Sequence, residues 1–194
     1  MGKIVVTNNI SLDGVMQAPA RPDEDTRDGF DRGGWAVPYG DAVMGRKMVE
    51  GMARPGSLLL GRRTYEDFFR VWPNRSDNPY TEVLDKTQKY VASRTLREPL
   101  PWQNSTLLEG DAADAVSELK GQLTGDLAIL GSGELIESLR RRRLIDAYVL
   151  LIYPLVLGSG RRLFPDGATP EELRLTDSVT TTTGVVIATY EVAA

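Results

Sequence analysis

Apolar residues along the chain come in short runs separated by clusters of glycine, proline and charge, a pattern that predicts alternating strands and helices. Residues 3–10 read as a strand, with Ile4, Val5 and Val6 in succession. Residues 41–52 carry Val43, Met44, Met48 and Met52 at helical spacing. Residues 57–60 form a buried strand closed by Gly61, and a helix follows over 64–71, where Thr64 and Asp67 approximate a capping box. Short strands are expected at 90–92, ending at Ser93, and at 106–108. Asp111 can cap a helix running to about Leu123. The apolar strand 127–130 stops at Gly131-Ser132-Gly133, and the next helix carries Leu135, Ile136 and Leu139 on one face. Residues 148–157 read as one long strand interrupted by Pro154, which implies an edge or a bulge because proline cannot donate to a ladder. Residues 173–178 and 185–192 close the chain as a hairpin around Thr183-Gly184.

Strands alternating with helices indicate an α/β fold with a mostly parallel sheet, the last two strands being antiparallel. Residues 16–40 are the exception, rich in Gly, Pro and charge, and long loops of this kind in compact domains are often functional. At 194 residues without an internal repeat, the chain is expected to be a single domain spanning 1–194.

Composition narrows the chemistry. There are no histidines and no cysteines. A Ser-His-Asp relay, a thiol nucleophile, a disulfide and a Cys- or His-based metal centre are therefore excluded. Only a carboxylate site for Mg²⁺ or Ca²⁺ stays open, and no metal is expected. The net charge of −4 argues against nucleic acid as a partner. The dense basic run Arg140-Arg141-Arg142-Arg143 ends a predicted helix, where cations suit the negative dipole end. No apolar run approaches the roughly 20 residues a membrane span needs, and the chain enters its first strand without a signal-peptide pattern. The expected location is the cytoplasm.

Two strand–turn–helix junctions could carry chemistry: Leu60-Gly61-Arg62-Arg63-Thr64 and Leu130-Gly131-Ser132-Gly133-Glu134. The N–H groups that open a helix, with its positive dipole end, attract anions. Arg62 and Arg63 add donors suited to phosphate, and glycines at 131 and 133 let a pyrophosphate approach the backbone. Each motif also reads as an ordinary tight connection. The third glycine of a dinucleotide fingerprint is absent, its place taken by Ile136. Gly158-Ser159-Gly160-Arg161-Arg162 reads as a turn leaving a strand.

Taken together, the segments Ser11-Leu12-Asp13-Gly14-Val15, Gly33-Gly34-Trp35, 58–66, 89–96, Gly131-Ser132-Gly133 and 156–165 resemble the dihydrofolate reductase-like family. That family includes the reductase domain of the bifunctional riboflavin-biosynthesis deaminase/reductase, and the resemblance extends to its stand-alone bacterial members. The six segments follow in order over essentially residues 3–192. The resemblance implies a three-layer fold with helices on both faces of the sheet, and NADPH as cofactor. By position, Gly61, Arg62, Arg63 and Thr64 would hold the adenosine 2′-phosphate and pyrophosphate. Ser93 and Arg94 would contact the ribose phosphate. Gly131, Ser132, Gly133, Glu134 and Leu135 would lie under the pyrophosphate and nicotinamide ribose. Asp13, Gly14 and Val15 match the loop that closes over the nicotinamide. Arginines together with Ser93 favour NADPH over NADH, because a 2′-phosphate needs donors.

The chain departs from the family pattern at two places. The acidic residue that binds pteridine falls near Gly45, which implies that dihydrofolate is a poor substrate. Tyr153-Pro154 stands where relatives often carry His-Pro. The expected activity is hydride transfer from NADPH to a small, polar, heterocycle-sized substrate; the alternative is an NADP-binding sensor or partner module with little turnover. Trp35, Met44, Met48 and Tyr153 are the expected substrate walls, Met44 and Met48 reading equally well as core. Asp13, Tyr39, Asp41 or water would supply the proton. The resemblance also implies a homodimer.

Overall fold

The computed structural model describes residues 2–54, 56–75 and 79–193. Its strands are β1 (Ile4–Ser11), β2 (Gly56–Gly61), β3 (Lys89–Ala92), β4 (Ser105–Leu108), β5 (Asp126–Leu130), β6 (Ala147–Tyr153), β7 (Leu173–Thr180) and β8 (Val186–Val192). Its α-helices are α1 (Ala42–Met52), α2 (Arg62–Val71), α3 (Pro79–Lys86), α4 (Ala112–Gln122) and α5 (Gly133–Arg141). The strands make an eight-stranded sheet in the order β4-β3-β2-β5-β1-β6-β8-β7, with helices around it. β2 runs parallel to β3 and β5, and β3 parallel to β4. β8 is antiparallel to both β6 and β7.

The chain divides into two compact units, the described residues of Met1–Val5 with Arg54–Asp146, and Val6–Ala53 with those of Ala147–Ala194. In the first unit, Leu58, Leu59 and Leu60 are buried in succession, as expected for a parallel strand covered on both faces. α5 contributes Leu135, Ile136 and Leu139 to the same core. Lys89 is wholly buried there. Its ammonium donates to the carbonyls of Leu84 and Thr87 at 2.7 Å and lies 4.5 Å from the Trp102 ring centre. Those partners offset the cost of burying a charge, while burial draws its pKa down to about 8.

The second unit is built around Val15, Phe30, Trp35, Met44, Tyr153, Leu157, Val185 and Ile187. Trp35 is fixed by its indole N–H, which donates to the Gln17 carbonyl at 2.7 Å. Residues 16–40 are irregular apart from 3-10 turns at Arg27–Gly29 and Val37–Tyr39. The β7–β8 turn closes through the Thr181 N–H on the Val185 carbonyl at 2.8 Å, with Gly184 at φ 86°.

The structure differs from the sequence expectation at three elements. α2 starts at Arg62, two residues early, and Thr64 is no cap because its hydroxyl is engaged by Ser132. β6 ends at Tyr153, so Pro154 stops an interior strand instead of marking an edge or a bulge. α3 had no counterpart in the apolar pattern, Leu84 being its one deeply buried apolar residue among those described. The arginine run does close α5, by ion pairing: Arg140 and Arg141 both reach Glu137, at 2.6 and 2.9 Å, and Arg142 reaches Asp114 at 2.5 Å.

Candidate functional site

Within the first unit the two Gly-containing junctions meet. The Gly61 N–H donates to the Ser132 hydroxyl at 3.0 Å. The Ser132 N–H donates to the Thr64 hydroxyl at 3.0 Å, and the Ser132 hydroxyl donates to the Leu130 carbonyl at 2.9 Å. Gly131 and Ser132 both take left-handed conformations, φ 56° and 55°. A Cβ on Gly131 would lie 3.0 Å from the Thr64 hydroxyl oxygen and 3.1 Å from its methyl carbon, so only glycine fits without a shift. Neither α2, capped by Gly61, nor α5, capped by Ser132, has a side-chain cap bond. Neither N-cap residue thus satisfies, through its side chain, the N–H groups that open its helix.

The charged residues of these turns are already partnered. Arg62 pairs with Glu66 at 3.0 Å and Arg63 with Glu134 at 2.9 Å, all four side chains being at least partly exposed. Arg94 differs, being exposed and without an ion-pair partner among the described residues. The adjacent Ser93 hydroxyl accepts the N–H groups of Thr95 and Leu96 at 3.1 and 3.0 Å, which shapes the turn leaving β3. A cavity of about 610 Å³ opens there, its lining including Ser93, Arg94, Leu96, Arg97, Leu108 and Asp111. The sequence pattern pointed to Ser93 and Arg94 and missed the others. The parallel β3–β4 register brings the strand ends together, and that pairing of distant segments leaves no local signal. Leu135 is buried in the unit's core, so its side chain is not open to a ligand.

In the second unit, Asp13 holds two loops together. Its carboxylate accepts the Ser11 hydroxyl at 2.6 Å and the N–H groups of Leu157 and Gly158 at 3.0 and 2.8 Å. These bonds, the Ser11 hydroxyl foremost, pull its pKa down to about 2. Asp41 caps α1 by accepting the Met44 N–H at 2.8 Å, and its other oxygen accepts the Thr182 N–H and hydroxyl at 2.6 Å. The same bonds hold Asp41 below the ordinary carboxylate value. Both acids are built to stay ionised, which suits a structural clamp and not a proton donor. Val15 has little left to offer a cofactor. Its side chain is fully buried, its N–H donates to the Ser11 hydroxyl and its carbonyl accepts the Ser11 N–H. Gly14, at φ 80°, has open space where a Cβ would be.

Tyr153 gathers the expected substrate residues. Trp35 and Tyr39 both meet its ring edge-to-face, at 5.2 and 5.6 Å between centres. Its hydroxyl donates to the Asn9 side-chain carbonyl at 2.9 Å and lies 3.8 Å from the Met44 sulfur. Burial pushes the Tyr153 pKa up to about 12. Trp35, Met44 and Tyr153 are buried, whereas Met48 is 46% exposed and stands apart from that core. Asn9, which the sequence did not single out, joins the cluster through a partner 144 residues away.

A family model described as the RibD C-terminal domain matches residues 2–187. The chain belongs to the RibD C-terminal domain family. Two Bacillus subtilis (strain 168) proteins are similar to it. YyaP is 30% identical over 140 residues, covering 69% of this chain and 72% of YyaP, and YwjB is 31% identical over 121 residues, covering 61% and 64%. Among solved structures, a putative riboflavin biosynthesis protein from Shewanella sp. PV-4 aligns over the whole of both chains with a TM-score of 0.71 at 22% identity. A pyrimidine reductase-like protein from Corynebacterium diphtheriae follows at 0.68 and 12% identity, covering 100% of this chain and 92% of its own. Dihydrofolate reductase from Enterococcus faecalis, complexed with NADP(H), aligns at 0.62 and 14% identity, covering 100% and 98%. The fold of this RibD C-terminal domain is thus dihydrofolate reductase-like, and family and fold together support a reductase role. Among the described residues, no helix is long and apolar enough to cross a membrane.

Proposed function

We propose that this RibD C-terminal domain is an NADPH-dependent reductase that reduces a small polar substrate of heterocycle size, other than dihydrofolate. The observation that carries this reading is the Ser132 clasp, with two uncapped helix N-termini and a turn at Gly131 that a Cβ would fill. Such a cradle fits a pyrophosphate, which needs close backbone approach and N–H donors.

NADPH, when bound, supplies the hydride. The chain's own residues do the rest. The turns at Gly61–Thr64 and Gly131–Leu135 hold the phosphates. Arg94 and Ser93 recognise the 2′-phosphate, with Arg62 and Arg63 exchanging their carboxylate partners to assist. Trp35, Tyr39, Met44 and Tyr153 shape the substrate side, with Met48 at its exposed edge. Gly45, half-exposed on α1 and with open space around it, leaves that side without the acid a pterin requires. Because Asp13 and Asp41 are held ionised, the proton comes from water or Tyr39. The chain works as one domain, as a homodimer in the cytoplasm; light scattering giving a mass near 21.4 kDa would contradict the dimer.

The test is NADPH oxidation against a panel of small heterocycles and carbonyl compounds with dihydrofolate included. Turnover of a panel member with dihydrofolate slow is expected. NADPH binding with no oxidation by any member would favour a sensor, and efficient dihydrofolate reduction, with kcat/KM on the order of 10⁵ M⁻¹s⁻¹, would refute the substrate assignment.

A further inference from the structure

β1 is an interior strand, yet its two faces differ. Val6, Asn8 and Ile10 on one face are at most 7% exposed. Thr7 and Asn9 on the other are half-buried, so part of an interior strand is open to solvent. Asn9 is also the polar neighbour of the aromatic cluster, since its side-chain carbonyl accepts the Tyr153 hydroxyl at 2.9 Å. The other neighbour of that hydroxyl is the Met44 sulfur, a weak acceptor. The hydroxyl therefore fixes which end of the carboxamide faces the aromatic rings. The amide N–H₂ points the other way, and among the described residues it has no partner.

A carboxamide offers two N–H donors and no charge. Held in one orientation by Tyr153, with its N–H₂ turned away from the rings, it selects an acceptor, a neutral ring carbonyl, over a protonated amidine-like edge, which would meet donor with donor. Resting on the reductase reading, we propose that Asn9, oriented by Tyr153, is the specificity-determining residue for the substrate, and that the substrate presents a neutral carbonyl on a flat ring. With glycine at position 45, no carboxylate on that stretch of α1 reverses this preference.

The test uses a matched pair of flat probes, 2-pyridone and 2-aminopyridine, at a pH where the second is protonated. The full chain labelled with ¹⁵N is titrated with each while the Asn9 side-chain N–H₂ signals are followed. Shifts of those signals with 2-pyridone and not with 2-aminopyridinium are expected. Asn9→Asp should reverse the order, weakening 2-pyridone at least tenfold and strengthening the cation. Tyr153→Phe should leave the carboxamide free to turn and reduce the discrimination between the probes. If the Asn9 signals stay still with 2-pyridone, or respond equally to both probes, the proposal is overturned, whether or not the variants fold. A separate NADPH titration reports on the reductase reading, so the two can fail independently.

Discussion

The Thr64 hydroxyl accepts the backbone N–H of Ser132 at 3.0 Å, and through this bond the first turn of α2 is tied to the turn that opens α5. Sequence reasoning assigned Thr64 to capping its own helix, yet its hydroxyl serves a different one, 68 residues away. Thr64→Val keeps the shape and leaves the partly buried N–H unpaired, at a cost of about 1–3 kcal/mol. Denaturant unfolding should show that loss, and NADPH affinity should fall with it; Thr64→Ser should restore most of both.

Gly131→Ala probes the same clasp from the other side. The residue sits at φ 56°, and its Cβ would press on Thr64 at 3.0 Å. A left-handed alanine costs on the order of 1–3 kcal/mol, and the contact adds to that. The expected result is weakened NADPH binding with an unchanged far-UV circular dichroism spectrum; full retention of affinity would contradict the cradle.

Asp13 predicts a pH dependence. Its pKa is lowered from 3.8 to about 2 in the folded chain. A carboxyl group lowered in this way contributes stability above its unfolded value, and that contribution is lost as pH falls through the folded value. The melting-temperature difference between wild type and Asp13→Asn should therefore be constant above about pH 5 and shrink as the pH falls from about 4 towards 2. Ionised at neutral pH, Asp13 should cause no fall in kcat with rising pH between pH 5 and 8, and a fall that disappears in Asp13→Asn would make it the proton donor after all.

Local patterns carried most of the fold. Three consecutive leucines before Gly61 mark a covered parallel strand, and Asp111 caps α4 by accepting the Ala113 N–H at 2.9 Å, as its position suggests. The β7–β8 hairpin was equally legible at Thr183-Gly184. What stayed hidden depends on distant pairings. The partners of Asp13 lie at 157 and 158, and the bond that aims Asn9 comes from Tyr153. Nothing near Asp13 in sequence distinguishes a loop clamp from an acid, since both need a carboxylate at a turn. The aromatic cluster shows the same limit, because although Met44 read equally well as core, nothing local brings Trp35 and Tyr153 together with it until the 16–40 segment folds against the end of β6.

The proposal that the first unit binds NADPH and reads its 2′-phosphate is tested by parallel calorimetric titrations of wild type and Arg94→Ala with NADPH and NADH. Arg94 and Arg97 are cations of the site without a carboxylate partner among the described residues, whereas Arg63 would first have to leave Glu134. NADPH should bind wild type at least tenfold more tightly than NADH, a difference of about 1.4 kcal/mol that one arginine–phosphate contact can supply. Arg94→Ala should remove most of that preference with NADH affinity unchanged, and Arg63→Ala should remove less. Equal affinity of the wild type for the two nucleotides, or no binding of either, would contradict the account.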